Sequence, residues 1–556
     1  MLLLFLACEP VAIDPGEGLD THDSAPLDEV WGASVYEPMR VLEVDVELDA
    51  EEWEDLRNQK RNFLDLLSGE DCLSEPWVSP YTWFDADVTI DGEAFTGEAR
   101  KKGLLGSVEP GRPSLKLKLT NDFEGVDRFT LNNGRQDASR FKTCMGYEIL
   151  GRAGVAAPRC SLAHVTVNGE DLGLYSNVEP IKPPLLARHF GGDGQNDLFE
   201  GTLSDFRPGW VTSFQDKTGD SDRAPLERLT EVLQLEDDQA FLEQLEQVVH
   251  VENFLEYWAM EVLLGHWDSY AGNTNNFWVY VDDDGLLNFI PWGIDAILVG
   301  DYPFGEFRPT SVIAVGALSN RLYGIDSTRA AYHDTLQRLM DEAWDEDALQ
   351  EHFSDLRDVG REYAWPQGKP ETYFDVVDLM EDFIATRQAT VEAEIATNPD
   401  WTEATRASPC IQDLGNVDIT FATTWGSYGT LPTWSTGSGS FEVNVGGEPV
   451  AVAHLTTLVG EYDTGQSVFL MGGTLDDGSH VAVYLVGPSE SYAQPGEVGA
   501  DWSDLSAYLL VNPNGDLQNW QQQAWLGGTL ILEQSSTIPG QPVTGSAQLT
   551  IWGASP

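Results

Sequence analysis

Positive charge is what this sequence has least of: 31 Lys and Arg stand against 92 Asp and Glu, a formal net charge of −61. A surface of that sign repels phosphate backbones and anionic headgroups, which excludes general nucleic-acid binding. Any anionic ligand then needs a local basic island. Cysteine is scarce, with 5 in 556 residues and no CxxC pair, so a zinc-ribbon or dithiol-redox reading has no footing. Long apolar runs are missing as well: the stretch Met1 to Ala7 falls far short of the roughly 20 residues that a spanning helix needs. No G-x-S-x-G elbow opens a helix, and no two histidines lie four apart, which removes the serine-hydrolase and catalytic-zinc readings. With so many acids, carboxylate pairs arise at every separation, and nothing marks one as a glycosidase pair.

What is present is a chain with 42% hydrophobic residues, long enough for two or more domains. Leu6-Ala7-Cys8 resembles a bacterial lipoprotein signal, and Glu9 to Asp28 reads as a Pro/Gly/Asp tether, so residues 1–38 are expected to be a signal and an acidic flexible tether on an exported protein. Membrane contact is expected only through a lipid at Cys8. The remaining Cys72, Cys144, Cys160 and Cys410 are compatible with two disulfides or with buried thiols.

From Val41 a strand leads to an Asp49-capped surface helix carrying Trp53, Leu56, Phe63 and Leu67. Alternating patterns between Trp83 and Leu119 predict a small sheet with a basic face, and a helix is expected from about Ala138 to Ala153. Asn168-Gly169 between two apolar runs is a strong hairpin signal. Helical patterns dominate from Pro225 to Gly265 and again from Thr328 to Asn398, with a strand pair between them whose turn is Asp282-Asp283-Asp284-Gly285. Three acids before a glycine invite calcium, but the twelve-residue loop pattern is missing, and a plain hairpin is the better reading. Around Ser408 the texture turns to Gly, Ser, Thr and short alternating strands. The expected division is 39–405 for a mixed α+β domain and 406–556 for a β-rich, sandwich-like one.

Chemistry concentrates after the second helix of the first helical region, at His266-Trp267-Asp268-Ser269-Tyr270-Ala271-Gly272-Asn273. Its Asp-to-Asn spacing equals that of a kinase catalytic loop, where the Asp receives a hydroxyl proton and the Asn holds a metal ion. The strand pair that follows ends in Pro291-Trp292-Gly293-Ile294-Asp295, which returns a second carboxylate toward that loop. The basic island is Arg100, Lys101, Lys102 and Arg112, Lys116, Lys118, with Gly103 able to bring backbone amides close to phosphate. Lys116 and Lys118 share one strand face. An edge strand blunted by lysines is the plain alternative. Glu148 and Glu179 are both candidate partners for Lys116.

These residues resemble the CotH (spore coat protein H) kinase family of secreted atypical protein kinases. The resemblance runs from about Val41 to Ala396 and rests on Ser114 to Leu119, Ala153 to Pro158, Val165 to Glu170, Gly173 to Tyr175 with Glu179, Asp268 to Asn273 and Ile290 to Asp295. It implies a bilobal kinase-like core, ATP with Mg²⁺ or Mn²⁺, and phosphate transfer to serine or threonine of extracellular or coat proteins. It further implies Asp268 as the catalytic Asp, Asn273 and Asp295 as metal ligands, and Lys116 as the phosphate-binding lysine. Two departures from the family pattern stand out. Gly293 stands where an Asp is usual, and Leu104-Leu105 replace a polar pair. The alternative is therefore a catalytically degenerate surface protein that keeps the fold for nucleotide or partner binding.

Overall fold

The computed structural model describes residues 31–554 apart from 78, 104–109, 301–308, 362, 364–372, 428–436, 464, 501–503 and 513–519. The expected signal, Cys8 and the Glu9 to Asp28 tether lie outside the described residues, as do Leu104 and Leu105. The chain divides into two compact units. The first holds residues up to Gln59 and Leu73–Ala407; the second holds Lys60–Cys72 and Ser408–Pro556.

The first unit begins with a closed seven-stranded barrel: β1 (Val41–Glu47), β2 (Phe84–Ile90), β3 (Glu93–Lys102), β4 (Ser114–Phe123), β5 (Val126–Asn132), β6 (Cys160–Val167) and β7 (Glu170–Val178), in the order β1-β2-β3-β4-β5-β7-β6. Parallel pairing of β1 with β6, Val44 opposite Val165, closes the ring. Period-two alternation turns Leu42, Val44 and Val46 of β1 and Leu115, Leu117 and Leu119 of β4 into the apolar barrel core. Lys116 and Lys118 are thereby put outside, with Arg100 directly opposite Lys116 across β3 and β4. The β6–β7 turn is Asn168-Gly169, at φ +51° and +78°, as its dipeptide requires.

The helix after β1 is shorter than the sequence spacing suggests. Asp49 caps it by accepting from the backbone of Glu51 at 2.8 Å, but it ends at Asn58. Lys101, whose β3 position faces inward and is fully buried, donates to the carbonyls of Arg57 and Gln59 at 2.7 and 2.8 Å, fixing the chain end there. Phe63 and Leu67 belong to a separate short helix in the second unit, so residues 60–72 leave the expected continuous 39–405 domain. The next helix spans Lys142–Arg152, starting later than expected because Asp137 accepts from the backbone of Ser139 and Lys142 at 2.8 Å each and organises a turn before it.

Beyond the barrel, a four-stranded sheet is ordered β11-β10-β8-β9, with β8 (Leu198–Gly201), β9 (Gln215–Asp216), β10 (Phe277–Val281) and β11 (Leu287–Pro291). The acidic helical stretch breaks into Ala224–Leu233 and Asp238–Leu245, where Asp237 caps the second by accepting from Ala240 at 2.8 Å. The helix Val251–Leu263 packs Phe254, Trp258 and Val262 into the main core, alongside helices Asp326–Ala343 and Tyr373–Ile395. Asp282 to Gly285 form a hairpin turn, with Gly285 at φ +79°.

Apart from the short helix Phe63–Leu67, the second unit is β-rich, built on one ten-stranded sheet. The last strand, Pro542–Ala554, pairs with both Ile411–Ser427 and Gln521–Gln534. Cys72 pairs with Cys410 inside this unit, and Cys144 with Cys160 inside the first. Alkylation without reduction, read by peptide mass, is expected to label none of these four cysteines; a labelled Cys72 or Cys410 contradicts the pairing.

Candidate active site

The loop that carries Asp268 is built by the end of the helix Val251–Leu263. Gly265, at φ +66°, ends that helix, and Ser269 caps the short turn Tyr270–Asn273 through Gly272 at 3.3 Å. Glu261, on the helix itself, reaches forward and accepts from the backbone of Tyr270 and Ala271 at 3.2 and 3.1 Å. The Tyr270 hydroxyl donates to Asp205 at 3.0 Å. Two buried acids thus hold the loop from both sides. Burial pushes Glu261 up to about 7 and Asp205 up to about 6, in each case against the hydrogen bonds that favour ionisation. His266 is buried, which drives its imidazole down to about 3 and leaves it neutral at physiological pH.

Asp268 is surrounded by amides. Its Oδ1 accepts from Asn273 at 2.6 Å and Asn275 at 3.2 Å, and its Oδ2 from Asn276 at 2.8 Å. Asp295, delivered by β11, lies within Coulomb range. Burial first, and then the Asp268 charge, push its carboxyl up to about 6. Asp268 is raised too, burial outweighing its three amides and the charge of Arg406. Both carboxylates keep some accessible surface, but protein surrounds them so closely that desolvation dominates. Lys142 and Asp137 stand near Asp295 with opposite effects.

Facing this pair is the outer side of the barrel. Lys102 donates to Asn132 and lies 5.8 Å from the ring centre of Trp292, the neighbour of Gly293. Burial first and the Lys116 charge second lower its ammonium to about 8, against Glu200 and Asp295. Glu200, on β8, is the acid that couples to the lysines. Burial raises its carboxyl, and Lys217 at 3.0 Å, then Lys116 and Lys102, more than offset that. Asp268, Asn273, Asp295, Lys102 and Lys116 are therefore drawn into one electrostatic neighbourhood.

The other expected residues lie elsewhere in the network. Lys118, on the same face as Lys116, pairs with Glu98 at 3.5 Å. Glu148 bonds Arg152 one helical turn on, at 3.0 Å, and Glu179 is fully buried between Arg159 at 2.8 Å and Arg188 at 2.7 Å. These are structural pairings: an acid already clamped by two guanidiniums is not the lysine's partner of choice. Gly103, at φ +116°, ends β3 and accepts from the Tyr81 hydroxyl at 3.2 Å. Asn275 and Asn276 were missed, although the asparagine-rich run Asn273 to Asn276 was a signal that could have found them; Glu200 and Arg406 carried no local signal.

Hard oxygen donors suit Mg²⁺ or Mn²⁺, and two crowded carboxyls held above their usual range are relieved by a cation, so Asp268 and Asp295 fit such an ion. Among the described residues no group of three or more His, Cys, Asp or Glu is arranged for a metal. The site therefore offers two carboxylates rather than a full acidic cage, the Asn273 amide oxygen accepting from Arg406. Gly293 has φ +54°, and a Cβ there would sit 2.4 Å from Asn276 Oδ1.

A family model described as CotH kinase protein matches residues 100–391. The chain is 25% identical over 237 residues to invasin CotH2 of Rhizopus delemar, covering 37% of this chain and 40% of that one. It is 24% identical over 233 residues to the inner spore coat protein H of Bacillus subtilis, covering 39% and 63%. The match thus spans less than two thirds of either relative. Among solved structures, the Helicobacter pylori proinflammatory kinase CtkA aligns over 54% of this chain and 94% of its own at 9% identity; a TM-score of 0.30 carries no argument.

Two substitutions test the geometry. Gly293→Ala is expected to destabilise the fold by about 1 kcal/mol or more, read by denaturant titration, because it forces a left-handed backbone and displaces Asn276. Glu261 binds its proton more tightly folded than unfolded, so its contribution is present below about pH 4.5 and is lost as pH rises through about 7. Wild type should lose up to about 3 kcal/mol relative to Glu261→Gln between pH 4 and pH 8; a pH-independent difference contradicts this.

Proposed function

This chain belongs to the CotH kinase family, whose model its residues 100–391 match, and from that premise we propose that it is an exported atypical protein kinase. In this reading it transfers the γ-phosphate of ATP to serine or threonine hydroxyls of extracellular or coat proteins. The barrel and the helical part with β8–β11 correspond to the two lobes of a kinase-like core. The observation that carries the reading is the convergence of two desolvated carboxyls, Asp268 and Asp295, opposite Lys102 and Lys116 in a chain so poor in cations.

Each group has a role in that reading. Asp268, oriented by its three amides, receives the hydroxyl proton as the substrate oxygen bonds to the γ-phosphorus and the bond to the ADP oxygen breaks. Lys116 and Lys102 bind the phosphates, with Glu200 positioning them and Lys118 adding charge at the rim. Asp295, with Asp268, would hold Mg²⁺ or Mn²⁺, which when bound neutralises charge on the phosphates, and the Asn273 amide orients Asp268. Lys142 tempers the charge of Asp295. Residues 1–38 are the proposed signal and tether, Cys8 the lipid site, and residues 406–556 a spacer or docking module. The names of the two relatives, an invasin and a spore coat protein, agree with a surface or coat setting.

A second reading, a nucleotide-binding protein without transfer activity, is favoured by one feature: position 293, a glycine, offers no carboxylate. Incubation with ATP and Mg²⁺ or Mn²⁺, read by intact mass on the protein or a serine-rich acceptor, separates the two. The kinase reading expects phosphate incorporation in wild type, reduced about 100-fold or more in Asp268→Ala and Asp295→Ala. Equal incorporation in all three, or none in any, overturns it.

A further inference from the structure

Arg406 comes from the segment that follows the last long helix, far in sequence from the loop it reaches. Its backbone N–H donates to Val315 at 3.0 Å, and Val315 in turn donates to Ala271 at 2.7 Å, so the segment runs alongside the Asp268 loop. Arg207 donates to the Arg406 carbonyl and pins it there. The guanidinium then donates to Asn273 Oδ1, and its charge acts on Asp268.

Asn273 is spoken for at both ends of its amide. The nitrogen donates to Asp268 at 2.6 Å, and the oxygen, its one metal-ligating atom, accepts from Arg406. A divalent ion on that oxygen would stand a few ångströms from a permanent guanidinium charge, with strong repulsion in so desolvated a place. Position 293 adds no acid to draw it in, since Gly293 is held at φ +54° with Asn276 filling the space beside it. A fixed positive charge thus stands on Asn273, and Gly293 offers no acid to offset it. Asp295 and Asp268 remain.

We infer that Arg406 takes the place of a second divalent cation, so that this site binds one metal ion, on Asp295 and Asp268, and uses the guanidinium where a two-metal kinase uses another ion. The inference rests on the phosphoryl-transfer reading above and specifies its metal content. Arg406 is in this sense a binding residue for the phosphate end of the nucleotide: it keeps its bond to Asn273 Oδ1 while its charge faces the phosphate oxygens.

The test is a count of bound Mn²⁺ by electron paramagnetic resonance, titrating the full chain with a non-hydrolysable ATP analogue present. Wild type is expected to bind one Mn²⁺ per chain. Arg406→Ala, with Asn273 Oδ1 opened, is expected to bind a second ion or to bind Mn²⁺ at least tenfold tighter, and Arg406→Lys to stay at one. Should Arg406→Ala unfold by circular dichroism, Arg406→Gln, which keeps a donor without the charge, carries the same expectation. Two ions in wild type, or unchanged count and affinity in a folded Arg406→Ala, overturn the inference while leaving the kinase reading standing. No bound ion in wild type overturns both.

Discussion

Asp268 and Asp295 are two acids within Coulomb range, each closely surrounded by protein, and such a pair can ionise fully only if something positive compensates it. That constraint organises the surroundings. Three asparagine amides spread the Asp268 charge without neutralising it. Lys142 answers Asp295, Arg406 answers Asp268, and Lys102 and Lys116 present charge that Glu200 keeps in balance. A triphosphate with one divalent ion is the kind of ligand that satisfies both sides at once, acids through the metal and lysines through the phosphates.

The barrel is what makes the basic side possible. Leu115, Leu117 and Leu119 are committed to its core, so the residues between them must face outward, and antiparallel pairing with β3 puts Arg100 beside Lys116. The acidic side depends instead on a helix end. Glu261 and Asp205, both buried and both hydrogen-bonded to the Asp268 loop, fix its path more firmly than the loop's own four-residue turn could. Positioning by buried carboxyls ties the shape of the loop to pH, which an apolar clamp would not do.

Local rules were readable in the sequence where the chain obeys them locally. The Asp49 cap, the Asn168-Gly169 turn, the end of the helix at Gly265 and the Asp282 to Gly285 hairpin follow from neighbouring residues alone. The expectation of one helix through Leu67 failed because Lys101, on a strand over 40 residues away, takes the carbonyls at its end. Barrel closure through β1 and β6, and the joining of Pro542–Ala554 to Ile411–Ser427, are long-range pairings with no mark in composition. At the site, spacing singled out Asp268, Asn273 and Asp295 because a kinase loop and a strand pair are contiguous devices. Glu200 and Arg406 arrive from distant segments, and the acids that looked suitable for Lys116 are occupied, Glu148 by Arg152 and Glu179 by two arginines.

The most direct measurement of the central claim is a crystal structure of the full chain with Mn²⁺ and a non-hydrolysable ATP analogue, with manganese located by its anomalous signal. The account predicts a manganese peak between the carboxylates of Asp268 and Asp295, and the triphosphate directed at Lys102 and Lys116. A nucleotide seated away from these residues, or manganese bound elsewhere while Asp268 and Asp295 stay without a cation, contradicts it.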